Sequence, residues 1–407
     1  MKKILFVINT FSRAGAETAL LELLRLLAAE EQYKLSLYVL LEQGEMLPLL
    51  PEGVKLENHR FHTESVLGGR GRKLMYRTIL RALLHRGNFI RLFPYLAGAF
   101  AGMLRRKRIQ PDKLFWRVLS DGAQRLPEEY DLAIAFIEGG SAYYVADHVR
   151  AERKAAFIHI DYGRSGYTRR LDKGCYLKYD AVFPVGENVK QRFLEVYPEC
   201  AERTKIFPNV INQTEIRRKA KLPGGFDDGF EGIRILTVGR LTRQKSYPVA
   251  VEAMRLLKAA GEKARWYVLG EGPERVRLER QIAASGLQED FLLMGETDNP
   301  YPYYAQTDIY VHATGYEGKS IAVQEAQILG CAIVVSESSR EQVRDGVDGT
   351  VCALEPEAVC GAIRELIREP QKRAAYGHAA EAGRIDCEEQ KKLLEELLWK
   401  RKSQRKC

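Results

Sequence analysis

Short, unbroken apolar runs alternate with amphipathic stretches along almost the whole chain. In the first half the runs cover residues 4–8, 35–40, 132–136, 155–160 and 181–185. In the second they cover 233–238, 266–269, 291–294, 309–312, 332–335 and 350–353. Apolar runs of this length, without alternation, suit strands buried on both faces. Helical spacing over 248–260, 273–285, 320–329 and 356–368 separates the later ones. Strands and helices in regular alternation predict parallel sheets with helices on both sides. Two such halves make an α/β chain of two doubly wound, Rossmann-like domains facing across a cleft, with ligands outside the carboxyl ends of the strands.

The boundary falls near 185–186 or somewhat later, around 208–209. The later position gives domains at 1–208 and 209–384, followed by a C-terminal helix and basic tail at 385–407. A Gly- and Asp-rich loop from Pro223 to Gly232 leads into the first strand of the second domain. One segment, about 65–111, breaks the alternation. It holds no Asp or Glu, yet carries Lys or Arg at eleven positions from Arg70 to Arg108, the last four being Arg105, Arg106, Lys107 and Arg108. An apolar run from Phe89 to Leu104, interrupted by Arg91 and Pro94, lies inside it. Basic, aromatic-bearing amphipathic sequence without acid predicts contact with an anionic membrane surface. A solvated helical insertion is the plainer alternative.

Composition narrows the classes. With 45% hydrophobic and 29% charged residues among 407, the chain reads as an ordinary soluble protein of two domains. No apolar span reaches 18 residues, so no transmembrane helix is expected. Met1-Lys2-Lys3 and the short run after it fit a buried first strand better than a signal peptide. Seven scattered cysteines without a Cys-x-x-Cys pair argue against a disulfide framework or zinc site and fit a reducing cytoplasm. The expected location is therefore cytoplasmic, peripheral at the inner face of the cell membrane. The net charge of +9 is moderate, and the basic run interleaves aliphatics rather than a stacking platform, so no nucleic-acid partner is expected.

Candidate chemistry concentrates in the second half. Glu317 lies in a loop beside Gly318, and Glu325 on the helix that follows. A helix N-terminus presents free N–H groups to an anionic phosphate. Carboxylates on either side can accept from hydroxyls, and the combination suits a sugar nucleotide. Gly239-Arg240-Leu241 and Lys245 follow the run at 233–238, where a planar fork and a compact ammonium can clamp a diphosphate. In the first half, Gly15 opens a helix after the first strand and lets backbone approach a phosphate; a structural tight turn needs it equally. His159 and Asp161 end the run at 155–160, placed to line a cleft or only to cap a strand. His312 sits inside an apolar run and reads as structural. No Asp-x-Asp, metal-spaced His cluster, Ser-His-Asp set or P-loop stands near these positions, so no metal and no cofactor is expected.

These residues carry a resemblance. Gly239-Arg240-Leu241 with Lys245, Gly270-Glu271-Gly272-Pro273, and Glu317 with Glu325, Ala326 and Gly330 resemble family 4 glycosyltransferases. Those are retaining enzymes of GT-B fold, and the bacterial capsule and exopolysaccharide type is nearest. The resemblance is strongest over about 233–353. It implies an acceptor-side first domain and a nucleotide-sugar-binding second one. It assigns Arg240 and Lys245 to the diphosphate, Glu325 to ribose hydroxyls and Glu317 to the transferred sugar. Backbone amides of Gly318, Lys319, Ser320 and Ile321 would reach sugar and phosphate. Gly15 would approach the diphosphate, and His159 the sugar near the reaction centre. Three positions depart from the pattern: Ser246 where Gly is common, Ala332 where Pro often stands, and Ala14-Gly15 in place of Gly-Gly.

The implied reaction moves a hexose-type sugar from a nucleoside-diphosphate sugar to a hydroxyl of a glycan or lipid-linked acceptor. It runs with retention and without a metal, and serves cell-surface polysaccharide or glycolipid synthesis. His159, Arg240, Lys245 and Glu317 are the expected catalytic residues. The rivals are a sugar-nucleotide epimerase or hydrolase on the same fold, and a non-catalytic GT-B partner subunit.

Overall fold

A computed structural model describes residues 1–66, 68–105, 110–383 and 388–399. The chain divides into two compact units, Met1–Ile211 with Cys387–Cys407, and Asn212–Asp386.

The first unit runs β1 (Lys2–Ile8), α1 (Gly15–Ala28), β2 (Tyr33–Val39), β3 (Val54–Leu56), α2 (Gly69–Leu84), α3 (Asn88–Arg105), α4 (Pro111–Gly122), β4 (Glu129–Ala135), α5 (Gly140–His148), β5 (Arg150–Ile158), α6 (Arg169–Asp172), β6 (Ala181–Pro184) and α7 (Glu187–Leu194). Its strands form one parallel sheet in the order β3-β2-β1-β4-β5-β6. The second unit runs α8 (Gln213–Ala220), β7 (Ile233–Val238), α9 (Tyr247–Ala259), β8 (Ala264–Leu269), α10 (Arg275–Ala284), β9 (Phe291–Gly295), α11 (Tyr301–Ala305), β10 (Ile309–His312), α12 (Ile321–Ile328), β11 (Ala332–Ser336), β12 (Gly349–Cys352), α13 (Pro356–Arg368) and α14 (Pro370–Glu381). Its sheet is also parallel, in the order β12-β11-β10-β7-β8-β9.

Counted from its own first strand, each sheet has the same order. The winding reverses between β1 and β4 in one and between β7 and β10 in the other. At such a switch point the loops leave in opposite directions and open a crevice at the carboxyl edge. The apolar runs supply the buried strands, Ile4 to Ile8 being fully enclosed. Strand β3 escapes the sequence pattern because three residues at a sheet edge carry no periodicity.

The unit boundary falls at 211/212, a little beyond the expected 208/209. The C-terminal helix, α15 (Glu388–Trp399), groups with the first unit rather than standing apart. It buries Leu394 and Leu398, pairs Lys391 with Glu30, and sets Trp399 under Lys2, 5.2 Å from the ring centroid. The basic tail from residue 400 lies outside the described residues.

The basic segment folds mainly as α2 and α3, which pack with α4 into a small helical cluster around Ala82, Leu92, Val118 and Leu119. Buried Asn88 ties the three helices together, donating to the carbonyls of Ala82 (3.0 Å) and Val118 (3.2 Å). Arg117 anchors the cluster to the sheet unit. It is 1% exposed, donates to Asp147 at 2.6 Å and to the Asp172 carbonyl at 3.0 Å, and lies over Tyr143. Along α3 one stripe, Leu92, Ala99 and Met103, is buried, while Phe89, Ile90, Phe93, Phe100 and Leu104 are exposed, Ile90 by 77%. Arg106, Lys107 and Arg108 lie outside the described residues. Among the described residues no helix is long and apolar enough to cross a membrane.

Candidate functional site

Two loops meet at the switch point of the second unit. The one after β7 carries Gly239, Arg240 and Lys245; the one after β10 carries Thr314 to Ser320. They are knitted through Gln244: its carbonyl accepts from the amide of Gly315 and the hydroxyl of Thr314, both 2.9 Å, and its side-chain amide donates to the Tyr316 carbonyl at 2.9 Å. The loop after β8 presses against the first of them. An ideal Cβ on Gly270, where φ is +147°, would lie 2.2 Å from the Gly239 carbonyl oxygen, so only glycine fits. Ser246, a position where the expected pattern commonly has Gly, adopts φ +45°, a left-handed conformation.

This knitting brings Lys245 to Glu317. Lys245 Nζ lies 2.5 Å from Glu317 Oε2, and His312 Nε2 lies 3.3 Å from the same oxygen and 3.4 Å from Nζ. Burial alone would raise the Glu317 carboxyl, but Lys245 and His312 hold it well below the usual carboxylate range. Burial, and then the Lys245 charge, push His312 below the usual imidazole value. On the far side, the Tyr310 hydroxyl lies 3.4 Å from Nδ1. Sequence reasoning set His312 aside because β10 is apolar; the structure puts its ring nitrogen in the charged cluster. Arg240 is exposed, and among the described residues its guanidinium has no ion pair or hydrogen bond.

Ser320 is the N-cap residue of α12. Its amide is already engaged, donating to Gln342 Oε1 at 2.8 Å, while the Gln342 amide donates back to the Ser320 carbonyl at 2.8 Å. That qualifies the expectation that amides 318 to 321 all face a ligand. Gly318 and Lys319 lie in the partly exposed loop ahead, and Ile321 opens the helix. Burial lowers the Lys319 ammonium below its ordinary value. Glu325, 8% exposed, accepts from Tyr301 and Tyr304 at 3.1 Å each. Burial outweighs these bonds and raises its carboxyl to about 7. Neither tyrosine was marked by the sequence reading.

The switch point of the first unit is different. Gly15 is the exposed first residue of α1. Asn9, just past β1, donates to the Glu138 carbonyl at 3.1 Å and accepts from the Ser141 amide at 2.8 Å. Glu138, just past β4 and 4% exposed, accepts the His159 amide at 3.0 Å, and burial raises its carboxyl. The His159 ring stacks on Phe157, centroids 6.0 Å apart, and lies tilted beside Phe136 at 5.2 Å. Its Nε2 is enclosed without a hydrogen-bond partner among the described residues, and burial lowers the imidazole to about 4. Asp161 caps a turn, accepting from the Arg164 amide at 3.0 Å. Glu138 was missed by the sequence reading, although Glu-Gly-Gly at a strand end is a legible signal. Among the described residues no group of three His, Cys, Asp or Glu is arranged to hold a metal.

Comparisons with known proteins bear on this geometry. Residues 229–383 match the family model "Glycosyl transferases group 1". Over 209 residues the chain is 26% identical to the N-acetylgalactosamine-N,N'-diacetylbacillosaminyl-diphospho-undecaprenol 4-alpha-N-acetylgalactosaminyltransferase of Campylobacter jejuni, covering 50% of this chain and 55% of that one. Over 142 residues it is 31% identical to a GDP-mannose-dependent phosphatidylinositol dimannoside mannosyltransferase of Mycobacterium tuberculosis, covering 34% and 37%. The matched region thus spans about half of the first relative and about a third of the second. Anabaena HepE, solved with UDP-glucose, superimposes with a TM-score of 0.69 at 16% identity over 98% of this chain and 99% of that one. That likeness shows a shared fold, the GT-B fold of two Rossmann-like units.

Proposed function

We propose that the protein is a retaining glycosyltransferase that moves a sugar from a nucleoside-diphosphate sugar to an acceptor hydroxyl. The observation that carries the reading is the carboxyl edge of the second unit, inside the matched region. An exposed cation, Arg240, follows one switch-point strand; the Lys245–Glu317–His312 cluster is assembled from the loops after both strands and the last residue of β10. The cations suit the diphosphate, whose charge grows as the bond from the anomeric carbon breaks. Glu317 suits the sugar hydroxyls and Glu325 the ribose. With two cations on the diphosphate, the reading needs no metal. Retention follows from front-face attack: the acceptor oxygen bonds to the anomeric carbon as the phosphate oxygen leaves, and that oxygen takes the acceptor proton. His159 would contact the sugar, and Gly15 the diphosphate.

The acceptor is a lipid-linked glycan in this reading, in keeping with the undecaprenol and phosphatidylinositol in the names of two relatives. The exposed α3 face and the flanking Arg and Lys side chains fit peripheral attachment to the cytoplasmic leaflet, at about 1 kcal/mol per basic group near the surface.

The test is thermal stabilisation by a panel of nucleotide sugars, followed by transfer to lipid-linked acceptors. A donor at 100 times its dissociation constant adds about 2.7 kcal/mol to stability. Sugar release with no acceptor dependence would favour a hydrolase, and binding without turnover on any acceptor a partner subunit. Flotation should recover the protein with anionic vesicles and not with neutral ones; equal recovery rejects the electrostatic attachment.

A further inference from the structure

The donor-site reading sends Lys245 to the diphosphate and Glu317 to the sugar, yet the structure pairs these two groups with each other at 2.5 Å. Each has to exchange its present partner for the donor. We propose that His312 is the positioning residue of this exchange: its Nε2–H keeps hold of Glu317 as Lys245 turns to the diphosphate, so that the carboxylate stays aimed at the sugar. This rests on the donor-site reading.

The geometry carries it. Lys245 Nζ and His312 Nε2 both converge on Oε2 of Glu317, at 2.5 and 3.3 Å. When one donor leaves, the other is already in place. The imidazole cannot follow the ligand: it is 1% exposed and lies near-parallel to Tyr310, at 17° and 6.2 Å between centroids. A Tyr310 hydroxyl donating to Nδ1, 3.4 Å away, leaves the ring proton on Nε2, facing Glu317. Burial works against protonation of the ring. Without His312 the departure of Lys245 would strand a partly enclosed carboxylate, and the pair would resist opening.

Two substitutions separate this role from packing. His312→Phe keeps a stacked ring and removes both nitrogens. His312→Gln restores an N–H near the position of Nε2. Titrate UDP, GDP, UDP-glucose and GDP-mannose by calorimetry, and measure kcat and KM with the donor that binds wild type. In His312→Phe, nucleotide-sugar affinity and kcat should fall by about 10-fold or more, the scale of a lost charged hydrogen bond, and nucleoside-diphosphate affinity, which also needs Lys245 freed, should fall by a smaller factor. His312→Gln should recover much of that loss. Unchanged sugar affinity and kcat in His312→Phe overturn the proposal, as does a His312→Gln no better than His312→Phe. If neither variant folds, nitrogen-15 NMR of wild type decides: an Nδ1–H tautomer rejects the proposal and an Nε2–H tautomer supports it. A wild type that binds none of the four nucleotides rejects the donor site itself, and this proposal with it. Binding by wild type with no effect of His312→Phe rejects only the role of His312.

Discussion

At the switch point of the second unit, Lys245 and His312 keep Glu317 ionised, whereas at that of the first, burial pushes Glu138 and His159 toward their neutral forms. The two crevices arise from one topology, yet one holds an ion pair and the other groups that burial pushes toward neutrality. The difference comes from partners. Glu317 has a cation within ion-pair distance; Glu138 accepts a backbone amide and, among the described residues, forms no ion pair, Lys113 acting on it only weakly. Under the proposed function this is a division of labour between a diphosphate site and a site for uncharged hydroxyls.

The comparison breaks most visibly if the charged edge turns out not to matter. Arg240→Ala, Lys245→Ala and Glu317→Gln should each lower kcat about 10²–10³-fold, the scale of one lost transition-state contact. Urea melts should show the fold largely intact. Wild-type turnover in all three would remove the diphosphate site.

The other edge is sharpened by His159→Phe, which keeps the ring beside Phe136 and Phe157 and deletes Nε2, an atom with no partner among the described residues. Turnover should fall about 100-fold, in the range of a single catalytic contact. Stability should rise by up to about 1 kcal/mol, because a buried polar atom without a partner is removed. A variant more stable and fully active would make His159 a structural residue.

Glu325→Gln tests a group that belongs to the charged unit but behaves like those of the neutral edge. Donor affinity should drop by about 1.5–3 kcal/mol, seen by calorimetry. The pH dependence has a definite sign. The folded carboxyl titrates near 7, above its ordinary 4.5. Between these values the folded state holds a proton that the unfolded state has lost, so wild type loses stability as pH rises through that window. Relative to wild type, Glu325→Gln should therefore gain stability from about pH 4.5 to 7 and then level off. A constant difference across that range contradicts the shift.

The smallest effect concerns backbone. Both edges use a positive φ: the first unit puts Gly139 there (+82°), the second puts Ser246 (+45°). Left-handed backbone costs a non-glycine residue about 1–2 kcal/mol, and the extra freedom of unfolded glycine offsets part of that. Ser246→Gly should raise stability by about 0.5–1 kcal/mol by thermal or urea melt. A loss would mean that the Ser246 hydroxyl contributes more than its 3.4 Å contact with the Gln244 carbonyl suggests.

The sequence was most informative where burial dictates pattern. Strands covered on both faces must be apolar throughout, so β7 and β10 were read to the residue. It was least informative where two distant loops meet. Lys245 and Glu317 are 72 positions apart, and only the adjacency of β7 and β10 brings them together. Each could be singled out as a candidate, but not as the other's partner. His312 was hidden by the same apolar pattern that revealed its strand, since it closes a buried run whose final side chain reaches the loop. Glu138 carries no periodic signal, and only the Gly139-Gly140 pair after it marks the strand end in the sequence.

The return of α15 to the first unit has a consequence for synthesis. The second unit is complete before the ribosome reaches residue 388, while the first still lacks the helix that covers Tyr33, Lys2 and Glu30. At about 5–20 residues per second, the first unit waits tens of seconds for its last piece. Its nascent form exposes a strip that the finished protein hides, and a chain cut short before α15 keeps that strip open for good.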